Sequence, residues 1–116
     1  MISRKETKLI LDQWNAGAIG AEAVWQWAEK NKAAGEPEDA LVRDIIDVLA
    51  SLPFDLITEE DAEVMAYGLS NPAEEADLAQ NLLWNHLDGV DTESRRTALA
   101  EDPFYGPFLL GESDHF

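Results

Sequence analysis

The sequence predicts an all-α fold: a compact bundle of five or six short antiparallel helices with an extended aromatic C-terminal tail. Three observations carry that prediction. Helix start signals recur along the chain, each a small polar cap or a proline followed by acidic residues. After each start, apolar residues return every three to four positions. No segment of four to eight residues alternates apolar and polar positions with β-branched enrichment, and no Asn-Gly or Asp-Gly joins two such runs. With 116 residues the chain is the size of one acidic helical domain, residues 1–116, able to bury roughly two-thirds of the surface its unfolded form exposes. The connections are short, which favours antiparallel neighbours.

Ser3 and Glu6 make a capping box, in which each side chain satisfies the other residue's backbone N–H, and it opens a helix to about Ala16. Ile10, Leu11 and Trp14 share one side of it. Gly17 and Gly20 then break the helix, and a second runs from about Ala21 to Ala34, closed by Gly35. In Glu36-Pro37-Glu38-Asp39, proline has no N–H to lose in a first turn and the acids oppose the positive end of the helix dipole, so a third helix starts there. Leu41, Val42, Ile45, Ile46, Val48, Leu49 and Leu52 give it a wide apolar face, and Pro53 stops it.

After the connector Pro53-Phe54-Asp55-Leu56-Ile57, Thr58 caps a fourth helix with Glu59, Glu60 and Asp61 in its first turn. Ala62, Met65, Ala66 and Leu69 lie on one side of it, and it ends near Ser70. Asn71-Pro72-Ala73-Glu74 repeats the start pattern for a fifth helix, which reaches Asp88 before Gly89 and carries an apolar arc of Ala76, Leu78, Ala79, Leu82 and Leu83. A sixth, shorter helix follows Asp91 or Thr92 and ends before Pro103. The tail from Pro103 to Leu110 has two prolines and no helical period; it reads as extended chain whose aromatics lie back over the helices.

Charge narrows the function. The chain carries 24 acidic and 8 basic side chains, a net charge of −16, and the imbalance is uneven. Up to Ala33 five bases face four acids; from Ala34 onward three bases face twenty acids. Such a field disfavours nucleic acid and anionic membrane surfaces and favours a cationic partner. Phosphate binding would need a basic stripe, whereas Arg4, Lys5, Lys8, Arg95 and Arg96 are explained by pairing with neighbouring acids. Hydrophobic content of 46%, with four Trp, four Phe and two Tyr, marks a folded chain despite the acidity. The absence of cysteine excludes disulfides and thiolate chemistry. With neither a signal-peptide pattern nor a bilayer-length apolar run, a cytoplasmic protein without a membrane partner is expected.

No catalytic, metal or cofactor residue is predicted. A calcium loop beginning at Asp55 would need an oxygen ligand at its third position and glycine at its sixth, where Ile57 and Glu60 stand. His86 and His115 lack metal-ligand spacing, and His86, at the edge of the apolar arc, reads as a packed, hydrogen-bonded side chain. Trp84 projects from the polar side of the fifth helix with Asp77, Asn81 and Asp88. Either the tail or another helix covers it, or it anchors an interface, a role in which tryptophan is enriched.

The stretch Trp14-Asn15-Ala16-Gly17-Ala18-Ile19-Gly20-Ala21-Glu22-Ala23-Val24, a helix, glycine turn and helix, resembles the start of some small acidic bacterial toxin-immunity proteins, the helical colicin immunity proteins among them. The resemblance extends to size, acidity and helical content. It implies a non-enzymatic inhibitor that neutralises a basic, nuclease-type toxin by capping its cationic surface. The contact residues expected from the charge pattern are Asp44 and Asp47 on the outer side of the third helix, Glu59, Glu60, Asp61 and Glu63 on the fourth, and Trp84 as anchor. The alternative is a homodimeric adaptor or secretion-chaperone-like module that uses Trp25, Trp27 or Trp84 as apolar surface and its charge for solubility. The sequence leaves the oligomeric state open.

Overall fold

The computed structural model describes residues 2–108, and within them the fold is all-α. The elements are α1 (Arg4–Asn15), α2 (Ala21–Ala34), α3 (Ala40–Ala50), α4 (Leu52–Asp55), α5 (Glu59–Ser70), a 3-10 turn (Ala73–Glu75), α6 (Ala76–Asp88) and α7 (Thr92–Leu99). Residues 105–108 add a helical turn. α1 packs chiefly on α5, α2 on α3, and α6 on α5.

Four local expectations are corrected. Pro37 does not open a helix; it pairs with Ile2 in an isolated parallel bridge, and Asp39 caps α3 by accepting from the Val42 N–H at 2.9 Å. Pro53 lies inside α4, where a first-turn position needs no N–H donor, so the connector is itself helical. Asn71-Pro72 leads into a 3-10 turn, and α6 proper begins only at Ala76. The tail is helical rather than extended at 105–108: Asp102 Oδ1 accepts from the backbone N–H groups of Phe104 (2.8 Å) and Tyr105 (3.2 Å), a side-chain cap that outweighs the two prolines. Leu109 and Leu110 lie outside the described residues.

α3 is the central helix, because its sequence is apolar almost all the way round. Leu41, Val42, Ile45, Ile46, Val48 and Leu49 are buried, and only Arg43 and Asp47, one turn apart, are fully on the outside. Leu11 and Trp14 of α1, Val24 and Ala28 of α2, Met65 and Leu69 of α5, and Ala79 and Leu83 of α6 complete the core. The tail contributes as expected: Tyr105 is buried, and its O–H donates to the Ile57 carbonyl. Phe104 and Phe108 pack on Trp25, with ring centroids 5.7 and 5.3 Å away.

Two close approaches set the helix orientations. A methyl group at Gly68 would lie 3.2 Å from Ala79 Cβ, so α5 and α6 cross nearly in backbone contact there. With Ala79 held against Gly68, α6 turns Ala76, Ala79, Leu83 and Leu87 inward. Leu78 and Leu82, expected in the core arc, instead face solvent, 66% and 44% exposed.

At the other contact, Arg4 closes the bundle. Its guanidinium pairs with Asp39 and donates to the Asn71 carbonyl at 2.9 Å and to the Gly68 and Leu69 carbonyls at 3.4 Å, satisfying the end of α5 where the dipole also favours a cation. Beside it, Ile2 lies over Gly35, and a Cβ on Gly35 would fall 2.3 Å from Ile2 Cδ1 and 2.8 Å from the Asn31 carbonyl oxygen. Ile2 can shift, but the Asn31 carbonyl belongs to the last turn of α2 and cannot. Gly35→Ala is therefore expected to lower stability by about 1–3 kcal/mol, the range for overpacking; chemical unfolding of the two proteins measures it.

Candidate functional site

The seven expected contact residues divide into two groups. Asp47, Glu59, Glu60 and Glu63 are exposed, Glu60 with 72% of its side chain in water. Trp84 is 43% exposed. Asp44 and Asp61, placed on outer faces by helical pattern alone, are buried, and that expectation is corrected.

Asp44 is buried because α6 covers that side of α3. Its Oδ2 accepts from Gln80 Nε2 at 2.6 Å and from the Trp84 indole Nε1–H at 3.3 Å, and Arg43 reaches Oδ1 at 3.4 Å. The carboxylate thus works as an internal bracket that holds Trp84 by one edge. Among the described tail residues, Phe104 and Phe108 lie on Trp25, whose own N–H donates to the Ala50 carbonyl at 2.9 Å.

Asp61 has no exposure at all. It sits at the third position of α5, where it closes a capping box by accepting from the Thr58 N–H at 3.0 Å. The same carboxylate accepts both arms of the Arg95 guanidinium and stands 2.7 Å from His86 Nε2. Burial is the largest single influence and pushes the carboxyl up, but the bonds from Arg95, the Thr58 N–H and His86 together hold it below the usual carboxylate range. An ionised carboxylate only accepts, so Nε2 is the protonated nitrogen of His86. Its partner also raises Arg95, chiefly through the hydrogen bond. The expected packed, hydrogen-bonded role of His86 is what the structure shows; His115 lies outside the described residues.

Next to this buried hub is a cleft of about 450 Å³. α3 contributes Asp47 and Val48, the α4 corner Phe54, Asp55, Leu56 and Ile57, and α6 Trp84, Leu87 and Asp88. Val90, Thr92, Arg95 and Arg96 close it from the start of α7. Its walls are apolar and its rim charged. Leu56 holds the corner in the left-handed region (φ 56°), its side chain buried and its carbonyl accepting from Arg95 at 3.1 Å. The structure therefore brings Asp47 and Trp84 to one site but leaves Glu59, Glu60 and Glu63 outside that cleft. Sequence reasoning missed Phe54, Asp55, Asp88 and Arg95 there. The available signal was Phe54 in a proline-containing connector, a large aromatic with no helical stripe to join, and it is 63% exposed.

Among the described residues, no group of three or more His, Asp or Glu side chains is arranged to hold a metal ion, and no helix is long and apolar enough to cross a membrane. Comparison with family models, with curated proteins and with solved structures finds no match to this chain.

The buried hub generates a stability prediction. Asp61→Asn leaves Arg95 facing a neutral amide and is expected to lower stability by about 3–5 kcal/mol near neutral pH, the cost of breaking a buried ion pair. The folded carboxyl titrates below its ordinary value of 3.8, so its contribution is complete above that value and is lost as pH falls through the lower folded one. In urea unfolding at a series of pH values, the gap between wild type and Asp61→Asn is expected to be widest near neutrality and to close in acid.

Proposed function

We propose that the chain is a non-enzymatic, acidic protein-binding domain that caps a cationic surface of a protein partner. The observation that supports this best is how much acid remains in water after the fold has taken its share. Asp39 and Asp102 are used in caps, and Asp44 and Asp61 are buried in internal bonds. Glu59, Glu60 and Glu63 on α5, Asp47 on α3, Asp55 on α4 and Asp88 on α6 stay exposed. Two of them meet a cation only loosely: Lys32 stands 3.7 Å from Asp47 and Arg95 3.4 Å from Glu60, contacts of a kind that contribute little. Carboxylates set on rigid helices speed encounter with a basic partner and set its orientation more than they add raw affinity.

A basic, nuclease-type toxin is the partner we favour, because the resemblance to immunity proteins and the sign of the field agree. Carboxylates would then stand where nucleic-acid phosphates stand in the toxin's cleft. Production together with the product of the neighbouring reading frame tests this, since a toxin and its inhibitor are encoded side by side. A complex is expected whose association slows steeply between about 0.05 and 0.5 M NaCl, where screening shortens from over 10 Å to a few Å. The triple reversal Glu59→Lys, Glu60→Lys, Glu63→Lys is expected to slow association at least about tenfold. Rates indifferent to both salt and reversal would refute capping by charge.

One observation favours the second reading, a homodimeric adaptor: Leu78 and Leu82 lie one turn apart and exposed on α6. Mass in solution separates the readings. A monomer is expected, and a dimer dissociated by Leu78→Ser and Leu82→Ser would favour the adaptor.

A further inference from the structure

We propose that the cleft between α3, the α4 corner and α6 receives an arginine side chain of the partner, its guanidinium laid on the Trp84 indole and paired with aspartates at the rim. The inference rests on the cationic-partner reading and names the contact at its centre. A volume of about 450 Å³ lies within the range of about 300–1,000 Å³ typical of pockets that enclose a small ligand, so a long side chain can enter it rather than lie across a flat surface.

Trp84 is a prepared platform. Its Nε1 edge is fixed to Asp44, which Gln80 in turn holds at 2.6 Å, so the indole has little rotameric freedom to lose on binding. Tryptophan is the aromatic that attracts cations most strongly, and arginine is the cation most often found on it. Phe54, packed edge-on with Trp25 and Phe108 yet still largely exposed, lines the same cleft, and the apolar wall suits the aliphatic stem of a long cationic side chain.

Charge complementarity selects the occupant. Asp47, Asp55 and Asp88 line the cleft and are exposed. Of the two cations on its wall, Arg95 already has its charge answered by Asp61 and Glu60; Arg96 is the other. A planar guanidinium can stack on the indole and still donate in its own plane to two carboxylates. A lysine ammonium, compact and strongly hydrated, cannot do both.

Titration of the full chain with hexa-arginine, hexa-lysine and hexa-citrulline peptides, followed by NMR of the backbone amide and indole N–H signals, tests the proposal. Hexa-arginine is expected to shift the Trp84 indole signal and to bind at least about threefold more tightly than hexa-lysine at equal charge. Hexa-citrulline is expected not to bind. Trp84→Ala should weaken hexa-arginine binding about three- to tenfold, and Asp88→Asn, at an exposed position, should weaken it measurably. Equal binding of the two cationic peptides, with shifts spread over Glu59, Glu60 and Glu63 and none at Trp84, overturns the arginine site while leaving the cationic-partner reading intact. Failure of both peptides to bind at low salt overturns the two together.

Discussion

A carboxylate shut away from water keeps its charge only if its lone pairs are filled, and Asp61 meets that requirement by drawing three parts of the chain onto one side chain. The Thr58 N–H comes from the start of its own helix, His86 from α6 and Arg95 from α7. α7 has no buried residue of its own. Besides Leu99, which is partly buried against the core, Arg95 fastens it to the bundle, on Asp61 and again on the Leu56 carbonyl. The next carbonyl, Ile57, takes the Tyr105 O–H, so the left-handed corner after α4 is gripped by two side chains from the C-terminal part of the chain. Such a hub is directional where apolar packing is not, and it fixes the geometry of the cleft wall beside it.

The same economy of polar contacts explains what the sequence revealed and what it hid. α2 and α5 were legible almost to the residue, because the closing Gly35 and the Thr58 N-cap are local signals read within four positions. The apolar period of α3 was strong enough to predict the helix and its wide apolar face, while its central place emerged only from the fold. Hidden from view was every feature whose cause lies far along the chain. Asp61 looks like one more acid in a helix first turn until Arg95, 34 positions later, is seen on it. Asp44 looks solvated until Gln80 and Trp84, 36 and 40 positions on, cover it. The rotation of α6, which put Leu78 and Leu82 outside, follows from the small side chains at the Gly68–Ala79 crossing, and a periodicity argument that weighs leucine over alanine points the wrong way there. For the candidate site, Asp47 and Trp84 could be read from the sequence, whereas the corner carrying Phe54 and Asp55 required the fold.

The acidity of the chain accordingly has two meanings. Part is architectural: Asp39, Asp61 and Asp91 cap helices, and Asp44 positions an indole. The remainder is a field around a surface with a cleft that combines exposed aromatic rings with aspartates. These two uses reinforce each other, since a carboxylate that is buried and paired holds the ring still, and a ring held still lets the exposed carboxylates around it act in a fixed geometry.

The closure of α1 on α5 by Arg4 also bears on the order in which the protein is made. The guanidinium of Arg4 and its acceptor at Asn71 are 67 residues apart, and at a synthesis rate of about 5–20 residues per second that separation amounts to roughly 3 to 13 s. Through that interval Leu11 and Trp14 of α1 have no α5 to cover them. The segment that waits is the near-neutral first third of the chain, and the segment made during the wait, residues 34–71, carries ten of the 24 acids against one base. The arrival of α5 thus brings the packing surface that α1 lacks, together with four of those acids, and adds to the charge that keeps the finished chain apart from its neighbours.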